Sequence, residues 1–245
     1  MNTGPGQPLP RRRSRQHRIV TAGPADTAAL SQVIADVFHD LPQSKWLIPD
    51  PDARQRILPG YFQLLTEQAM GTGTVHTTTD RVAAALWIPV RPKGASQPAD
   101  YPARLAALSG QWAGQFTMFD AVLDRHHPRG AAYHYLAILA VHPDRQGEGI
   151  GSALLRAYHD ILDREPDALA YLEAAGMRSR QLYRRHGYLP SGAFYLPDDG
   201  PGMWPMVRPP RSRSPRQETL APAPTTTQRT SVPRSRSAPR GHHDR

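Results

Sequence analysis

The fold of this chain is decided by residues 141–153, which read Val141-His142-Pro143-Asp144-Arg145-Gln146-Gly147-Glu148-Gly149-Ile150-Gly151-Ser152-Ala153. The apolar run before them, residues 134–141, is typical of a central strand that is buried on both faces. From residue 149 to 163, apolar residues recur at three- and four-residue steps, which predicts an amphipathic helix. A glycine-rich turn between a strand and a helix gathers free backbone N–H groups at the positive end of the helix dipole. Such a turn can bind phosphate.

Three interpretations of this turn compete on its residues alone. A Walker loop ends in Gly-Lys-Ser/Thr, and the chain has no lysine after Lys93. A dinucleotide fingerprint needs glycines at its first, third and sixth positions, but the sixth position counted from Gly147 is Ser152. A plain glycine turn that only joins a strand to a helix stays open at this point.

The rest of the chain alternates helical and extended patterns. Helical spacing covers residues 24–38, 53–70, 101–123 and 178–186, and extended apolar runs cover 74–78, 82–90 and 168–172. The turn at Asp80-Arg81 joins two of these runs as a hairpin, and two final strands are expected between residues 188 and 207. This order predicts an α/β chain, in the α+β sense of one mixed sheet with helices packed on it.

Basic residues are concentrated at the two ends of the chain. Residues 1–18 hold five arginines and no acid, and residues 211–245 hold eight arginines against Glu218 and Asp244. The whole chain has a net charge of +9, so the part between the tails is slightly acidic. Tails made of Arg, Ser, Pro and Thr cannot bury enough apolar surface to offset chain entropy. We therefore predict disorder in both tails and one folded domain at residues 19–210.

Composition also excludes several kinds of site. The chain has no cysteine, which excludes disulfides, zinc–thiolate sites and a thiol nucleophile, and we expect no metal. Its longest apolar stretch, residues 82–88, is far shorter than the ~20 residues that cross a bilayer. We expect a cytoplasmic protein without a membrane span, either a monomer or a homodimer.

A second motif lies downstream of the first. It follows a predicted strand that ends at Leu172-Glu173 and reads Leu182-Tyr183-Arg184-Arg185-His186-Gly187-Tyr188. Together the two motifs resemble those of the GNAT superfamily of N-acetyltransferases, Gln/Arg-x-x-Gly-x-Gly/Ala and Leu-Tyr-x-x-x-Gly-Phe/Tyr. The resemblance is specific over residues 133–190 and suggestive over 19–132. It implies a GNAT-like acyl-CoA acyltransferase fold, with a central, mostly antiparallel sheet flanked by helices.

The resemblance also implies acetyl-CoA as the co-substrate. In the family, main-chain amides of the first motif bind the pyrophosphate of coenzyme A, and the preceding strand binds the pantetheine arm. The implied contacts are Leu139, Ala140, Val141, Gln146, Gly147, Glu148, Gly149, Ile150, Gly151 and Ser152.

Two positions depart from the family pattern. Glu148 places a carboxylate inside the phosphate loop, and we expect this carboxylate to point to solvent. Gly176 stands where the family commonly has asparagine, which leaves Ser179 as the nearest polar candidate for a cofactor contact. Pro143 has no N–H, and we expect it to help the central strand part from its neighbour.

Two residues are the candidates for acid–base chemistry. Tyr183 matches the family's acid and would protonate the leaving thiolate, although a core tyrosine would look the same in sequence. Glu173, at the end of a strand beside the cleft, is the candidate base, and a solvated carboxylate is its alternative. His134, Tyr135 and His142 are weaker candidates to face the acceptor, because a lone histidine is more often structural.

The sequence thus predicts an acyltransferase that moves an acetyl group from acetyl-CoA to a primary amine by direct attack of the amine. The acceptor, a small molecule or a peptide amine, is set by residues 19–132. There, Trp46, Trp87 and Trp112 either line an aromatic pocket or belong to the core. The alternative function is a catalytically idle domain that senses acyl-CoA and contacts polyanions through its basic tails. Contact of the tails with nucleic acid is the lesser expectation, since a solvated tail without a partner has the same composition.

Overall fold

The computed structural model describes residues 17–92, 97–165 and 167–211. The predicted tails, residues 1–18 and 211–245, lie outside this description except for His17, Arg18 and Arg211. Within the described ranges, every helix and strand falls between Ile19 and Arg208. The disorder of the tails and the limits of the domain stay predictions.

Seven α-helices and eight β-strands make up the described part of the chain. The helices are α1 Thr27–Phe38, α2 Pro42–Leu47, α3 Pro51–Thr72, α4 Tyr101–Ser109, α5 Ala113–His126, α6 Ile150–Leu162 and α7 Met177–Arg185. The strands are β1 Ile19–Thr21, β2 Thr74–Thr78, β3 Ala83–Val90, β4 Tyr133–Val141, β5 Ala170–Ala174, β6 Leu189–Pro190, β7 Phe194–Tyr195 and β8 Gly202–Arg208. None of the helices in these ranges is long and apolar enough to cross a membrane.

The strands form one mixed sheet in the order β1-β2-β3-β4-β5-β8-β6, with β7 paired to β8 beside this path. β4 and β5 run parallel, and the other described pairs are antiparallel. Helices pack on both faces of the sheet. The predicted α/β class and the mostly antiparallel sheet flanked by helices are confirmed.

The central strands β3 and β4 are buried on both faces because two separate cores enclose them. Ala84 and Leu86 of β3 belong to the core that includes α1 and α3, whereas Ala85 and Trp87 belong to the core that includes α6. Trp87 is fully buried and stacks on Tyr158 of α6, with ring centroids 4.1 Å apart. This stacking places α6 directly on the centre of the sheet.

β4 pairs with its two neighbours over very different lengths. It pairs with β3 from Tyr133 to Val141, along its whole length. It pairs with β5 only through His134 and Tyr135, and no later residue of β4 has a partner among the described residues of β5. Residues 136–141 therefore present an open edge on the side of β5.

The two strands separate at Ala137. Leu136 and Ile138 lie opposite consecutive residues of β3, so Ala137 is an extra residue in β4. Such a bulge bends a strand and increases its twist. The sequence analysis assigned the separation to Pro143, which is wrong, because Pro143 begins a 3₁₀ turn only after β4 has ended.

Most predicted elements are confirmed, with small shifts at their ends, and the exceptions have physical causes. The single helix predicted at residues 101–123 is wrong: it divides into α4 and α5, because Gly110 adopts a φ of +54° and a 3₁₀ turn follows. The sequence analysis misses β1 and α2, whose three and six residues are too few to show a period. The last part of the described chain has three strands instead of the two predicted.

Gly73 lies between the end of α3 and the start of β2, where there is no room for a side chain. A Cβ at Gly73 would collide with the carbonyl oxygen of Trp87, whereas a Cβ at Gly71, in the last turn of α3, meets no atom within 4 Å. We expect Gly73→Ala to lower the free energy of unfolding by about 2 kcal/mol or more. Gly71→Ala should raise it by up to ~1 kcal/mol. Chemical denaturation measures both, and equal effects of the two substitutions would contradict this packing.

Candidate active site

A cavity of about 1240 Å³ is lined by residues of the open edge of β4, the end of β5 and the N-terminal parts of α6 and α7, together with residues of α1–α5. It gathers most of the residues that the sequence analysis singled out. These are Leu139, Val141, Gln146, Gly147, Gly149, Ile150, Gly151, Ser152, Glu173, Ser179 and Tyr183. Ala140 and Glu148 do not line it.

The N-terminus of α6 opens into this cavity. Gly149 caps the helix in the left-handed region, with φ of +86°, and has no side chain to bond the first amides. The first helical N–H that finds a main-chain acceptor is that of Ala153, which binds the oxygen of Gly149. The amides of Ile150, Gly151 and Ser152 therefore face the cavity with the helix dipole behind them, an arrangement that suits an anion.

Gln146 is held in place by two contacts. Its Nε2 donates to the oxygen of Val141 at 3.0 Å, and its Oε1 accepts from Nη1 of Arg178 at 2.9 Å. The bond to Val141 fixes the turn to the end of β4. The bond from Arg178 ties the turn to α7 and brings a positive charge to the same end of the cavity.

Glu148 turns away from the cavity into an ion-pair network. Its Oε2 lies 3.1 Å from Nε of Arg145 and 3.9 Å from Nε2 of His17, and Nη1 of Arg145 lies 2.8 Å from Asp80. Hydrogen bonds to Asp80 and then to Glu148 raise the pKa of Arg145. Glu148 is thus partly exposed to solvent, as its place in the loop requires, and Arg145 also offsets its charge.

Three small residues near the turn also serve the local structure. A Cβ at Gly151 would lie 3.3 Å from Cδ2 of Leu182, so α6 and α7 pack closely here. The Ser152 hydroxyl lies 3.0 Å from Nε2 of His186. Ser179 caps α7, because its hydroxyl donates to the oxygen of Gly176 at 2.8 Å and accepts from the Gly176 amide at 3.2 Å.

The end of β4 presents alternate side chains to the two sides of the sheet. Leu139 and Val141 line the cavity, whereas Ala140 is fully buried in the core that includes α1 and α3 and does not line it. Ala140 can therefore meet a ligand in the cavity only through its main chain. The three residues lie on the open edge, where peptide groups can bond an extended, amide-bearing molecule.

Tyr183 lies on α7 and combines burial with access to the cavity. Its side chain is packed edge-on against Tyr188, with ring centroids 5.8 Å apart. Burial raises the pKa of Tyr183 well above its ordinary value, so the hydroxyl keeps its proton at neutral pH. Among the described residues, this hydroxyl has no hydrogen-bond partner.

Glu173 is buried at the end of β5, with 2% of its side chain exposed, so it is not a solvated carboxylate. Its Oε1 lies 3.2 Å from Nε2 of His127, and Nδ1 of His127 lies 2.7 Å from the hydroxyl of Tyr133. Burial, and then the charge of Glu173, raise the pKa of Tyr135 and of Tyr171. A carboxylate, an imidazole and phenol groups thus form one cluster beside the cavity.

The weaker candidates divide between the cavity and other surroundings. Tyr135 lines the cavity, but His134 and His142 do not. His134 lies 3.0 Å from the hydroxyl of Tyr158 and 3.4 Å from Glu165, outside the cavity.

The tryptophans belong to the core and not to an aromatic pocket. Trp87 is fully buried, Trp46 packs against Phe119 and donates to the oxygen of Pro197, and Trp112 is packed against the core. None of the three lines the cavity, whose aromatic lining residues are Phe38, Tyr61, Phe62, Tyr101, Phe119, Tyr135 and Tyr183.

Sequence reasoning missed several charged side chains of the cavity. Asp120, Asp124 and His127 line it from α5 and the residue after it, and Arg178 and Arg185 line it from α7. The first set follows the i, i+4, i+7 spacing of one helix face, and the two arginines are seven residues apart, which also places them on one face. That spacing was visible in the sequence, but nothing local showed that these faces meet a cavity. The described residues contain no group of three or more His, Cys, Asp and Glu that could hold a metal ion.

Comparison with protein families and solved structures gives consistent matches. Residues 112–190 match the family model of the acetyltransferase (GNAT) domain. The fold is similar to that of a Corynebacterium glutamicum protein described as histone acetyltransferase HPA2 and related acetyltransferase. That match has 28% sequence identity, covers 82% of this chain and 99% of the other, and has a TM-score of 0.64.

Two more distant structures share the fold alone. Arylalkylamine N-acetyltransferase 2 from Aedes aegypti is 12% identical, over 80% of this chain and 99% of that one, with a TM-score of 0.51. An agmatine N-acetyltransferase is 16% identical, over 80% of this chain and 100% of that one, with a TM-score of 0.51.

Proposed function

The chain belongs to the GNAT superfamily of N-acetyltransferases, and from this premise we propose that it transfers an acetyl group from acetyl-CoA to a primary amine. The amine attacks directly. A single observation carries the proposal: one cavity holds the open edge of β4, the N-terminus of α6, Glu173 and Tyr183. The open edge of β4 can bind an extended donor, and the N-terminus of α6 can bind its phosphates. Glu173 and Tyr183 can exchange protons with the reacting groups.

The residues around α6 fit acetyl-CoA, which supplies the acetyl group and leaves as a thiol. The amides of Ile150, Gly151 and Ser152 would hold the pyrophosphate, with Arg178 as a nearby cation. Gln146 and Gly147 shape the turn, and Arg145 offsets the charge of Glu148. The carboxylate of Glu148 is therefore paired with a cation and does not line the cavity.

Main-chain groups would hold the arm of the donor. Leu139, Ala140 and Val141 lie on the β4 edge that has no partner among the described residues of β5, and an extended amide chain can bond there as a strand would. Ser179 can contribute little as a donor, because its hydroxyl already binds Gly176.

Glu173 would remove a proton from the acceptor ammonium. An alkylamine is mostly protonated at neutral pH, so a base is required before it can attack. Its Oε1 lies 3.2 Å from Nε2 of His127 and, within the described residues, has no hydrogen-bond partner, so this oxygen can accept a proton. Tyr183 would then protonate the departing thiolate, since burial keeps its hydroxyl protonated.

The alternative from the sequence is a catalytically idle acyl-CoA sensor whose tails contact polyanions. That function depends on tails outside the described residues. A sensor has no need of a buried carboxylate–imidazole pair beside its ligand, and Glu173 with His127 forms such a pair. The arrangement of the cavity therefore favours catalysis.

Acetyl-CoA should stabilise the folded protein, because a ligand that binds only the folded state at ~100 times its dissociation constant adds about 2.7 kcal/mol. Gly149→Ala should weaken binding about tenfold or more, since a side chain strains the left-handed turn whose amides hold the phosphates. Gly192→Ala is the matched control, because Gly192 has a φ of +90° and lies outside the cavity. Thermal melting with titrated acetyl-CoA measures both affinities. An unmoved melting curve at millimolar acetyl-CoA would refute the proposed donor.

Tyr183→Phe should lower kcat by roughly 100-fold and leave the affinity for acetyl-CoA intact, because only the donated proton is removed. Tyr188→Phe is the control: Tyr188 is an equally buried neighbour that does not line the cavity. Thiol release gives kcat, and calorimetry gives the affinity. If kcat stays within about threefold of the wild-type value, Tyr183 is only a packing residue.

Glu173→Gln should lower kcat by about 10²-fold or more, because the variant cannot accept the proton. Glu165→Gln is the control, since Glu165 also pairs with a histidine, His134, but outside the cavity. Thiol release at saturating amine and acetyl-CoA measures kcat for both variants. A kcat of Glu173→Gln within about threefold of the wild-type value would assign the base to another group.

A further inference from the structure

Charge is divided between the two halves of the cavity. The arginines that line it, Arg145, Arg178 and Arg185, belong to the half built by α6, α7 and their loops. The other half is built by residues 37–135, and its described lining residues include no lysine or arginine. Instead it contains Asp120 and Asp124, and Glu173 lies beside it. One half suits phosphate, and the other suits a cation.

The three carboxylates differ in the basic groups that lie near them. Oδ2 of Asp124 lies 3.0 Å from Nη2 of Arg129, and Oε1 of Glu173 lies 3.2 Å from Nε2 of His127. Within the described residues, Asp120 has no arginine, lysine or histidine at ion-pair distance. It accepts hydrogen bonds from two neutral groups, the hydroxyl of Tyr101 at 2.9 Å and the side chain of Gln97, which leave its negative charge without a cation and part of its acceptor capacity unused.

The carboxylate of Asp120 lies in a partly desolvated environment. Burial raises the pKa of Asp120 to about 6, so the group is still ionised at neutral pH but poorly solvated. The negative charge of Asp120 also acts on Tyr61: burial, and then this charge, raise the pKa of Tyr61. A buried carboxylate without a cation is costly, and a cationic ligand would relieve that cost.

Gln43 independently indicates that the cavity can bind a ligand with an N–H donor. It lines the cavity, its residue is 6% exposed, and its buried Oε1 has no hydrogen-bond partner within the described part of the chain. Its Nε2 donates to the oxygens of Ala175 and Gly202, at 3.2 and 3.0 Å. Because both of these partners are carbonyl oxygens, the group that faces them must be the NH₂ of the amide, so the assignment of Nε2 and Oε1 cannot be exchanged. Oε1 is therefore free to accept a hydrogen bond from a ligand.

Gln43 and Asp120 lie on neighbouring elements of the same half. Gln43 is in α2 and Asp120 is in α5, and the two helices pack through Trp46 and Phe119, with ring centroids 6.5 Å apart. Phe119 and Tyr61 line the same cavity with aromatic surface, which tolerates a cation well. A ligand with N–H donors at both ends matches these two acceptors.

We propose that the acceptor is a small linear aliphatic diamine, whose second ammonium group is bound by Asp120 while Gln43 accepts an N–H bond from the same molecule. This inference rests on the proposed acetyltransferase function. The transfer itself is unchanged: a C–N bond forms, the C–S bond breaks, the amine loses one proton, and the thiolate gains one. An acceptor with a carboxylate would be repelled by Asp120.

The test compares amines of equal length with the full chain and acetyl-CoA, followed as thiol release. Putrescine is compared with n-butylamine, and cadaverine with n-pentylamine; the amino alcohol of each length controls for a neutral polar end. We expect kcat/KM for each diamine to exceed that of its monoamine roughly 100-fold. Asp120→Asn, which still accepts a bond from Tyr101, should reduce this ratio to within a few fold. Asp124→Asn should keep it, because Arg129 already neutralises Asp124.

The outcomes separate this inference from the proposed function. Turnover of monoamines and diamines at equal kcat/KM would overturn the diamine site and leave the acetyltransferase standing. A diamine preference that survives Asp120→Asn, or falls equally in Asp124→Asn, would also overturn the role of Asp120. If no amine releases thiol, the proposed function fails, and calorimetry of putrescine and n-butylamine on the coenzyme A-bound protein decides the site. Equal affinities in that measurement would refute it.

Discussion

An extra residue in β4, Ala137, bends that strand away from β5 directly after their last pair at Tyr135. The separation exposes the main chain of residues 136–141 at the point where a helix N-terminus also opens. Buried peptide groups without partners are costly, and here the cavity leaves them accessible to a ligand. A fully paired β4 would have used the same groups for the sheet and left no site.

The open edge is useful only because its surroundings are rigid. Stacking of Trp87 on Tyr158 holds α6 against the central strands, and the close approach of Gly151 to Leu182 sets the distance between α6 and α7. Gln146 then links the turn to β4 and to Arg178. These contacts position the amides of α6 before any ligand arrives, which lowers the entropy lost on binding.

The two halves of the cavity differ in how their carboxylates are paired. Carboxylates near the proposed phosphate site are paired with arginine, as Glu148 is with Arg145. In the opposite half, Glu173 is held by His127, and Asp120 has only neutral partners among the described residues. A cavity with separated signs of charge can orient a donor and an acceptor that carry opposite charges.

The sequence by itself determined the parts of the site that are local in the chain. The period of residues 149–163 and the glycines before it placed a helix N-terminus after a central strand, and the motif at residues 182–188 pointed to Tyr183. Only the tertiary structure decided the neighbours of Glu173, the bulge at Ala137 and the position of the aspartates of α5 in the cavity. His127 and Glu173 come from distant segments, and a bulge exists only relative to the register of a partner strand. Contacts between elements far apart in the chain leave no period or spacing that a sequence alone can show.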